Sequence, residues 1–316
     1  MTNDPCRFFD WQITQGFASV ELTRYFDKAR LYAVEPTFRE TLHSLTKNLS
    51  DVALGSRVRR FGLGLFRPDA IAHGKVECAL AYFARFGVRP VYCATVQVTP
   101  EMLREIWRYQ LNAASGERLK LLDLVFTATP SILTLFDCGT DRLPVPCAAL
   151  MGDSKGSANP ALRAGWELRS HLNSPHRIEV YMHTADEPID VVRDGGILLG
   201  PERFATAISV EESEDITDDV LRMSRHINEA YGPTARAVEI RNELLRIALT
   251  AAGLPPNGTV DRWGVVRKLG AACGMFSGPG ETIICHSGTD PWWEQAGLLS
   301  ERTAYLSARA GSIHDA

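Results

Sequence analysis

The stretch Phe61-Gly62-Leu63-Gly64-Leu65-Phe66-Arg67-Pro68-Asp69-Ala70-Ile71-Ala72-His73-Gly74-Lys75-Val76 decides the reading of the fold. Its first six residues are a short apolar run bounded by polar, turn-forming residues, the pattern of a buried strand. Helical spacing follows. Val76, Ala79, Leu80, Phe83 and Phe86 fall at i, i+3, i+4, i+7 and i+10, one face of a 3.6-residue period, and Gly87 ends the helix. Val88 to Val98 is rich in Val, Thr and Tyr and predicts a second strand. Thr99-Pro100-Glu101 is a helix start, with a capping hydroxyl before a proline at the first helical position.

Further along, Ser131 to Phe136 predicts a third strand, Arg177 to Met182 a fourth, and Pro188 to Arg193 a short helix. Strands and helices in this order predict an α+β fold, an antiparallel sheet covered by helices in the ferredoxin-like arrangement. We place this unit at residues 59–203. Residues 1–58 predict a helical N-terminal extension, with Pro36 to Asn48 amphipathic, and carry no functional signal. Residues 204–316 predict a mainly helical C-terminal domain. Its apolar stripes are Ile216, Val220, Met223, Ile227 and Ala230, then Ala237, Ile240, Leu244, Ile247 and Ala251. Trp263 to Cys273 is a further helix and Glu281 to Cys285 a strand.

Composition narrows the class. Apolar residues make up 45% and charged residues 23%, the balance of a globular chain rather than a disordered one. Net charge is −4 with no run of Lys or Arg, which argues against a nucleic-acid partner but not against a local basic pocket. The 7 cysteines are odd in number and widely spaced, without a Cys-x-x-Cys, so reduced thiols in a cytoplasmic protein are expected. The N-terminus lacks the basic and apolar regions of a secretory leader. No apolar stretch approaches the ~18 residues of a membrane span, so no membrane partner is expected. No set of residues has metal-ligand spacing, and no resident metal is predicted. Cys285-His286 is a weak candidate dyad, because adjacent residues rarely form one.

Three segments carry chemistry. Leu65-Phe66-Arg67-Pro68-Asp69 leads into the helix that follows His73-Gly74-Lys75. Ser157-Ala158-Asn159-Pro160-Ala161 runs on to Trp166-Glu167-Leu168-Arg169. Val180-Tyr181-Met182-His183-Thr184-Ala185-Asp186 places a histidine at the end of a strand. In this order they resemble three motifs of the nucleoside diphosphate kinase family: the Lys-Pro-Asp strand end, the Thr-Asn-Pro-Ala to Thr-Ile-Arg segment, and the Asn-x-x-His-Gly-Ser-Asp of the phosphorylated histidine. The resemblance spans roughly residues 60–200.

The resemblance implies a phosphotransferase that binds a nucleoside di- or triphosphate with Mg2+ and passes the phosphoryl group through His183. Asp194, eleven residues on, stands where the family has a carboxylate that orients the imidazole. Arg169 matches an arginine that holds phosphate. Arg67 replaces a lysine, and His73 replaces an arginine. Asn159, Trp107 and the nearby Lys155 complete the expected nucleotide and phosphate contacts. A homo-oligomer is also implied. The chemistry accounts for these residue types. A nucleophilic imidazole needs one free ring nitrogen and one fixed by an acceptor. The charge on a transferring phosphoryl group needs cations around it. Val180, Ala158 and Ala185 stand where the family has polar donors. The expectation is therefore a specialised acceptor or a diverged reaction. One alternative is a nucleotide-modifying transferase or lyase in which His183 is an acid or base. Another is a module that binds nucleotide without catalysis.

Overall fold

A computed structural model describes residues 22–47, 49–111, 114, 116–139, 143–175, 177–209, 214–231 and 289–311. The predicted stripe at Ala237 to Ala251, the helix at Trp263 to Cys273, the strand at Glu281 to Cys285 and Cys285-His286 lie outside these residues. Ahead of the sheet come α1 (Phe26–Ala33), α2 (Pro36–Thr46) and α3 (Asp51–Arg60). Then follow β1 (Phe61–Phe66), α4 (Pro68–Ala72), α5 (Val76–Ala84), β2 (Arg89–Val96), α6 (Pro100–Ile106), α7 (Arg108–Leu111), α8 (Gly116–Phe126) and β3 (Ser131–Asp137). Next are α9 (Cys147–Lys155), a single 3-10 turn (Pro160–Leu162), α10 (Leu168–His171), β4 (Met182–Thr184) and α11 (Pro188–Leu199). Last come α12 (Pro201–Ile208), α13 (Thr217–Tyr231), α14 (Asp290–Gln295) and α15 (Arg302–Ala310).

The four strands form one sheet in the order β2-β3-β1-β4, and every neighbouring pair is antiparallel. Every residue of β1 and β3 is buried, so both faces of the sheet are covered. Strand alternation assigns the faces. Leu63, Leu65, Leu133 and Leu135 join one apolar cluster, with α1, α2, α8 and α11. Phe66, Ile132 and Phe136 join a second, with α5, α9, α13 and α14. Gly62 belongs to the second face. A Cβ there would lie 2.3 Å from Met151 Sδ, so the missing side chain lets α9 pack directly on β1.

Sequence and structure agree for the first three strands and for α5, whose buried side chains include Val76, Ala79, Leu80 and Phe83. Thr99 caps α6, accepting from Met102 N at 3.2 Å. The fourth strand differs. It starts at Met182, not Arg177, because the chain makes a tight turn just before it. Met182 N donates to Val180 O at 2.7 Å, and Tyr181 has φ +63°, a left-handed value rare for a bulky residue. The Tyr181 amide is held by Asp69 Oδ2 at 3.2 Å.

The predicted boundaries also differ. The break at 58/59 falls inside α3 and that at 203/204 inside α12. The described parts of both extensions share the clusters of the sheet region: Leu22 to Val58 and Phe204 to Ile208 in the first, Val220, Ile227, Trp292 and Trp293 in the second. They are walls of the same core. Amphipathic helices ahead of and behind the sheet needed an apolar surface, and the two faces of the sheet supply it.

The helix predicted over Pro188 to Arg193 runs on to Leu199, through Gly195-Gly196. A Cβ on Gly196 would lie 1.9 Å from Thr41 Oγ1, and one on Gly195 2.2 Å from Phe204 Cε2. The glycine pair thus lets α2 and α12 approach the backbone of α11. Gly196→Ala should destabilise the protein by about 1–3 kcal/mol through overpacking, despite a helix-propensity gain of roughly 1 kcal/mol. Urea denaturation checks this; an unchanged or raised midpoint would show that α2 yields freely.

Candidate functional site

His183 is the middle residue of β4 and pairs with Leu65 of β1. Cross-strand partners point to the same face, so the imidazole faces α11, which packs on that side. Asp190 and Asp194 lie four residues apart on α11 and therefore on one stripe of it. The helix is fixed at its start by a reciprocal capping box between Glu187 and Asp190. Sheet and helix together thus present His183, Asp190 and Asp194 to a common space.

That space is a cavity of about 170 Å³, open to solvent on one side and smaller than the roughly 300–1,000 Å³ usual for drug-sized ligand sites. Lys155, Arg169, His183, Thr184, Asp186 and Asp194 line one part of it. Lys28 and Tyr32 come from α1, Asp190 from α11, and Trp107 and Gln110 from the α6–α7 corner.

His183 Nε2 is 2.8 Å from Asp194 Oδ2. An ionised carboxylate can only accept, so Nε2 is the donor of this pair, and in the neutral imidazole Nδ1 then holds the lone pair. The imidazole edge also rests on Trp107, with ring centroids 4.8 Å apart. Behind Asp194 stands a buried ion pair. Arg193 gives Nε to Glu35 Oε2 at 2.6 Å and Nη2 to Glu35 Oε1 at 3.0 Å, and its Nη1 lies 3.8 Å from Asp194 Oδ1. Burial works to lower the Arg193 pKa, but Glu35, Tyr32 and Asp194 more than offset it and hold it above the usual value.

The cations of the cavity are engaged to different degrees. Lys28 Nζ donates to Glu187 Oε2 at 2.8 Å and Asp190 Oδ2 at 2.7 Å, while the Tyr32 hydroxyl donates to Asp190 Oδ1 at 2.8 Å. Burial alone would lower the Lys28 pKa; the two carboxylates raise it well above normal. Lys155 Nζ donates to Asp186 Oδ1 at 2.8 Å and to Thr184 O at 3.2 Å. Burial would raise the Asp186 pKa, but Lys155, then Lys28 and His183, hold it below the usual carboxylate range. Arg169 gives Nη1 to Gly156 O at 2.6 Å. Its buried Nε has no hydrogen-bond partner among the described residues, and neither has the buried Thr184 hydroxyl. Burial pushes the Arg169 pKa down to about 9; Asp186 opposes that, and Arg163 and Arg67 add to it. It remains a cation at neutral pH.

Of the residues expected from sequence, the structure brings together His183, Asp194, Arg169, Lys155 and Trp107. Arg67, His73 and Asn159 do not line the cavity. The Arg67 guanidinium is buried on Asp69 Oδ1 at 3.0 Å and stands over the Phe126 ring. His73 Nδ1 is 2.7 Å from Asp69 O. Asn159 caps the 3-10 turn, its Oδ1 accepting from Ala161 N at 3.4 Å. Asp186 does not cap α11, a position taken by Glu187. Sequence reasoning missed Lys28, Tyr32, Gln110 and Asp190. The spacing of Asp190 four residues before Asp194 was available as a signal; nothing local marked Lys28 or Tyr32.

Among the described residues no cluster of three or more His, Cys, Asp or Glu side chains is placed to hold a metal ion. No described helix is long and apolar enough to cross a membrane. No protein-family model matches the chain, and no curated protein matches it significantly.

Proposed function

We propose that this chain is a nucleotide-dependent phosphotransferase, similar in site and sheet to nucleoside diphosphate kinases, that works through a phosphohistidine at His183. The observation that carries the reading is the His183–Asp194 pair at 2.8 Å, eleven residues apart in sequence, which leaves Nδ1 as a nucleophile on the wall of the cavity. The strand order β2-β3-β1-β4 with helices on both faces supports the ferredoxin-like class on which that family is built.

In this mechanism the Nδ1 lone pair attacks the terminal phosphorus. The bond from phosphorus to the bridging oxygen breaks, and the nucleoside diphosphate leaves with that electron pair. Asp194 stabilises the positive imidazole that forms. Arg169 and Lys155, which line the cavity, balance the charge spread over the phosphoryl oxygens. An acceptor oxygen then attacks phosphorus, any proton it carries passing to solvent, and the phosphorus–Nδ1 bond breaks with its electron pair returning to the neutral imidazole. Mg2+ enters as part of the nucleotide substrate and neutralises phosphate charge there. Such an ion keeps most of its waters and needs no protein cage. Lys28 and Tyr32 line the cavity from α1, so the N-terminal extension helps to shape it toward a specialised acceptor. Self-assembly into an oligomer belongs to the same reading.

The protein incubated with γ-labelled ATP and Mg2+ should take up an acid-labile, base-stable label that His183→Ala abolishes. Nucleotide binding without label would sink the phosphotransfer reading.

A further inference from the structure

β4 lies at the edge of the sheet and is only three residues long, Met182–Thr184, paired with β1. Its register matters. A slip by one residue would turn His183 away from Asp194, to the face on which Met182 packs in the second apolar cluster. One end of the strand is tied by Ala185 N, which donates to Leu63 O at 3.0 Å. The other end depends on Tyr181, whose φ of +63° is a value that a tyrosine disfavours. Both peptide groups of Tyr181 are gripped by one short segment, Arg67-Pro68-Asp69. The Tyr181 amide donates to Asp69 Oδ2 at 3.2 Å, and Tyr181 O accepts from Arg67 N at 3.1 Å. The Asp69 carboxylate is fully buried, and its other oxygen accepts from Arg67 Nε at 3.0 Å. Arg67 Nη2 in turn donates to Ile178 O at 2.5 Å, just ahead of the turn.

We propose that Asp69, braced by Arg67, is a positioning residue: by holding Tyr181 in its left-handed turn it fixes the register of β4 and so aims His183 at Asp194. A glycine would adopt this conformation freely; a tyrosine opposes it, so its surroundings must hold it there. Asp69 does not line the cavity, and it acts through Tyr181, two residues before the histidine. The same arrangement gives Arg67 its role, as the cation that balances a buried carboxylate and orients it toward the Tyr181 amide. The inference rests on the phosphotransfer reading only for what His183 then does; the aim of the imidazole is a separate property.

Asp69→Asn keeps the size of the side chain but leaves one oxygen for two donors. The charged Arg67 takes it, and an NH2 group is left facing the Tyr181 amide. The readout is the His183 Nε2–H proton, observed by NMR in 15N-labelled protein and assigned by its loss in His183→Ala. In the wild type, bonding to Asp194 should protect this proton from exchange with solvent. In Asp69→Asn it should exchange about tenfold or more faster, and labelling by γ-labelled ATP should slow by roughly 10–100-fold. Tyr181→Gly, which needs no holding, should suppress most of both effects when Asp69→Asn is added to it. A purely structural Asp69 would lower the Tm of the variant and leave the ring proton of the folded protein as it was. Wild-type exchange in folded Asp69→Asn would therefore overturn the proposal, as would equal effects of Asp69→Asn with Tyr181 and with Gly at that position. If Asp69→Asn alone does not fold, the double variant must fold and protect the ring proton; failure of both sinks the idea. A wild type without a protected His183 proton removes the His183–Asp194 pair and the positioning role with it. Faster exchange in Asp69→Asn, with no phosphohistidine label in the wild type, leaves the positioning role standing and removes the phosphotransfer reading alone.

Discussion

Asp194→Asn should slow phosphohistidine formation by roughly 10²–10⁴-fold while leaving the fold intact. The carboxylate now accepts from His183 Nε2 at 2.8 Å and fixes the proton on that nitrogen. An asparagine offers either an oxygen or an NH2 group to the same atom. With the NH2 group forward, Nε2 must accept, the proton moves to Nδ1, and the nucleophile is lost. With the oxygen forward the tautomer survives, but the negative charge that stabilises the imidazolium is gone. Either outcome slows the same step, which is why the expected loss is large and its range wide. Single-turnover labelling with γ-labelled ATP measures it directly. A rate within about threefold of wild type would mean that Asp194 does not set the tautomer, and that the pairing is structural. Thermal unfolding of the same variant separates a chemical loss from a folding one.

How far the sequence carried the site depends on which link is local. Strands β1 and β3 could be read because a fully buried strand is a mostly apolar run, unbroken in β1 and interrupted only by Thr134 within β3, and both are buried along their whole length. His183 and Asp194 were legible only through the resemblance of their segments to a known family's motifs. Once β4 and α11 are placed, a separation of eleven residues brings the two side chains to hydrogen-bond distance. The start of β4 was not legible. Arg177 to Met182 has the composition of a strand, yet a tertiary contact, Asp69 Oδ2 on the Tyr181 amide, holds the chain in a turn there. Arg67 shows the same limit in the other direction. Its charge fitted a phosphate ligand, but burial beside Asp69 and Phe126 uses the guanidinium within the core. Lys28 and Tyr32 were invisible for a third reason. They reach the cavity only because α1 docks on the sheet face, more than 150 residues in sequence from the Asp190 that binds them both.

Arg193→Met should cost about 3–5 kcal/mol of stability, a loss on the order of 10 °C in Tm. The guanidinium is 1% exposed and its partner Glu35 is 4% exposed. It also donates to Ile106 O at 2.8 Å and to Glu105 O at 2.5 Å, and it stands over the Tyr32 ring at 4.6 Å. One side chain therefore ties the N-terminal helices, the end of α6 and the face of α11 that carries Asp194 together. Methionine fills a similar volume but leaves the buried Glu35 carboxylate with only the half-exposed Arg108, 3.9 Å away, as a cation. The Tyr109 hydroxyl at 2.8 Å is then the closest remaining donor to it. The loss comes mainly from that stranded charge and only partly from the bonds removed. This makes a second variant informative. Pairing Arg193→Met with Glu35→Leu removes the stranded carboxylate and should recover a substantial part of the stability, though not the support that Arg193 gives Asp194 at 3.8 Å. A stable double variant with slow phosphohistidine formation would assign Arg193 a positioning role beyond its structural one. A double variant no more stable than Arg193→Met would show that the cost lies in lost packing against Tyr32, not in the unpaired charge.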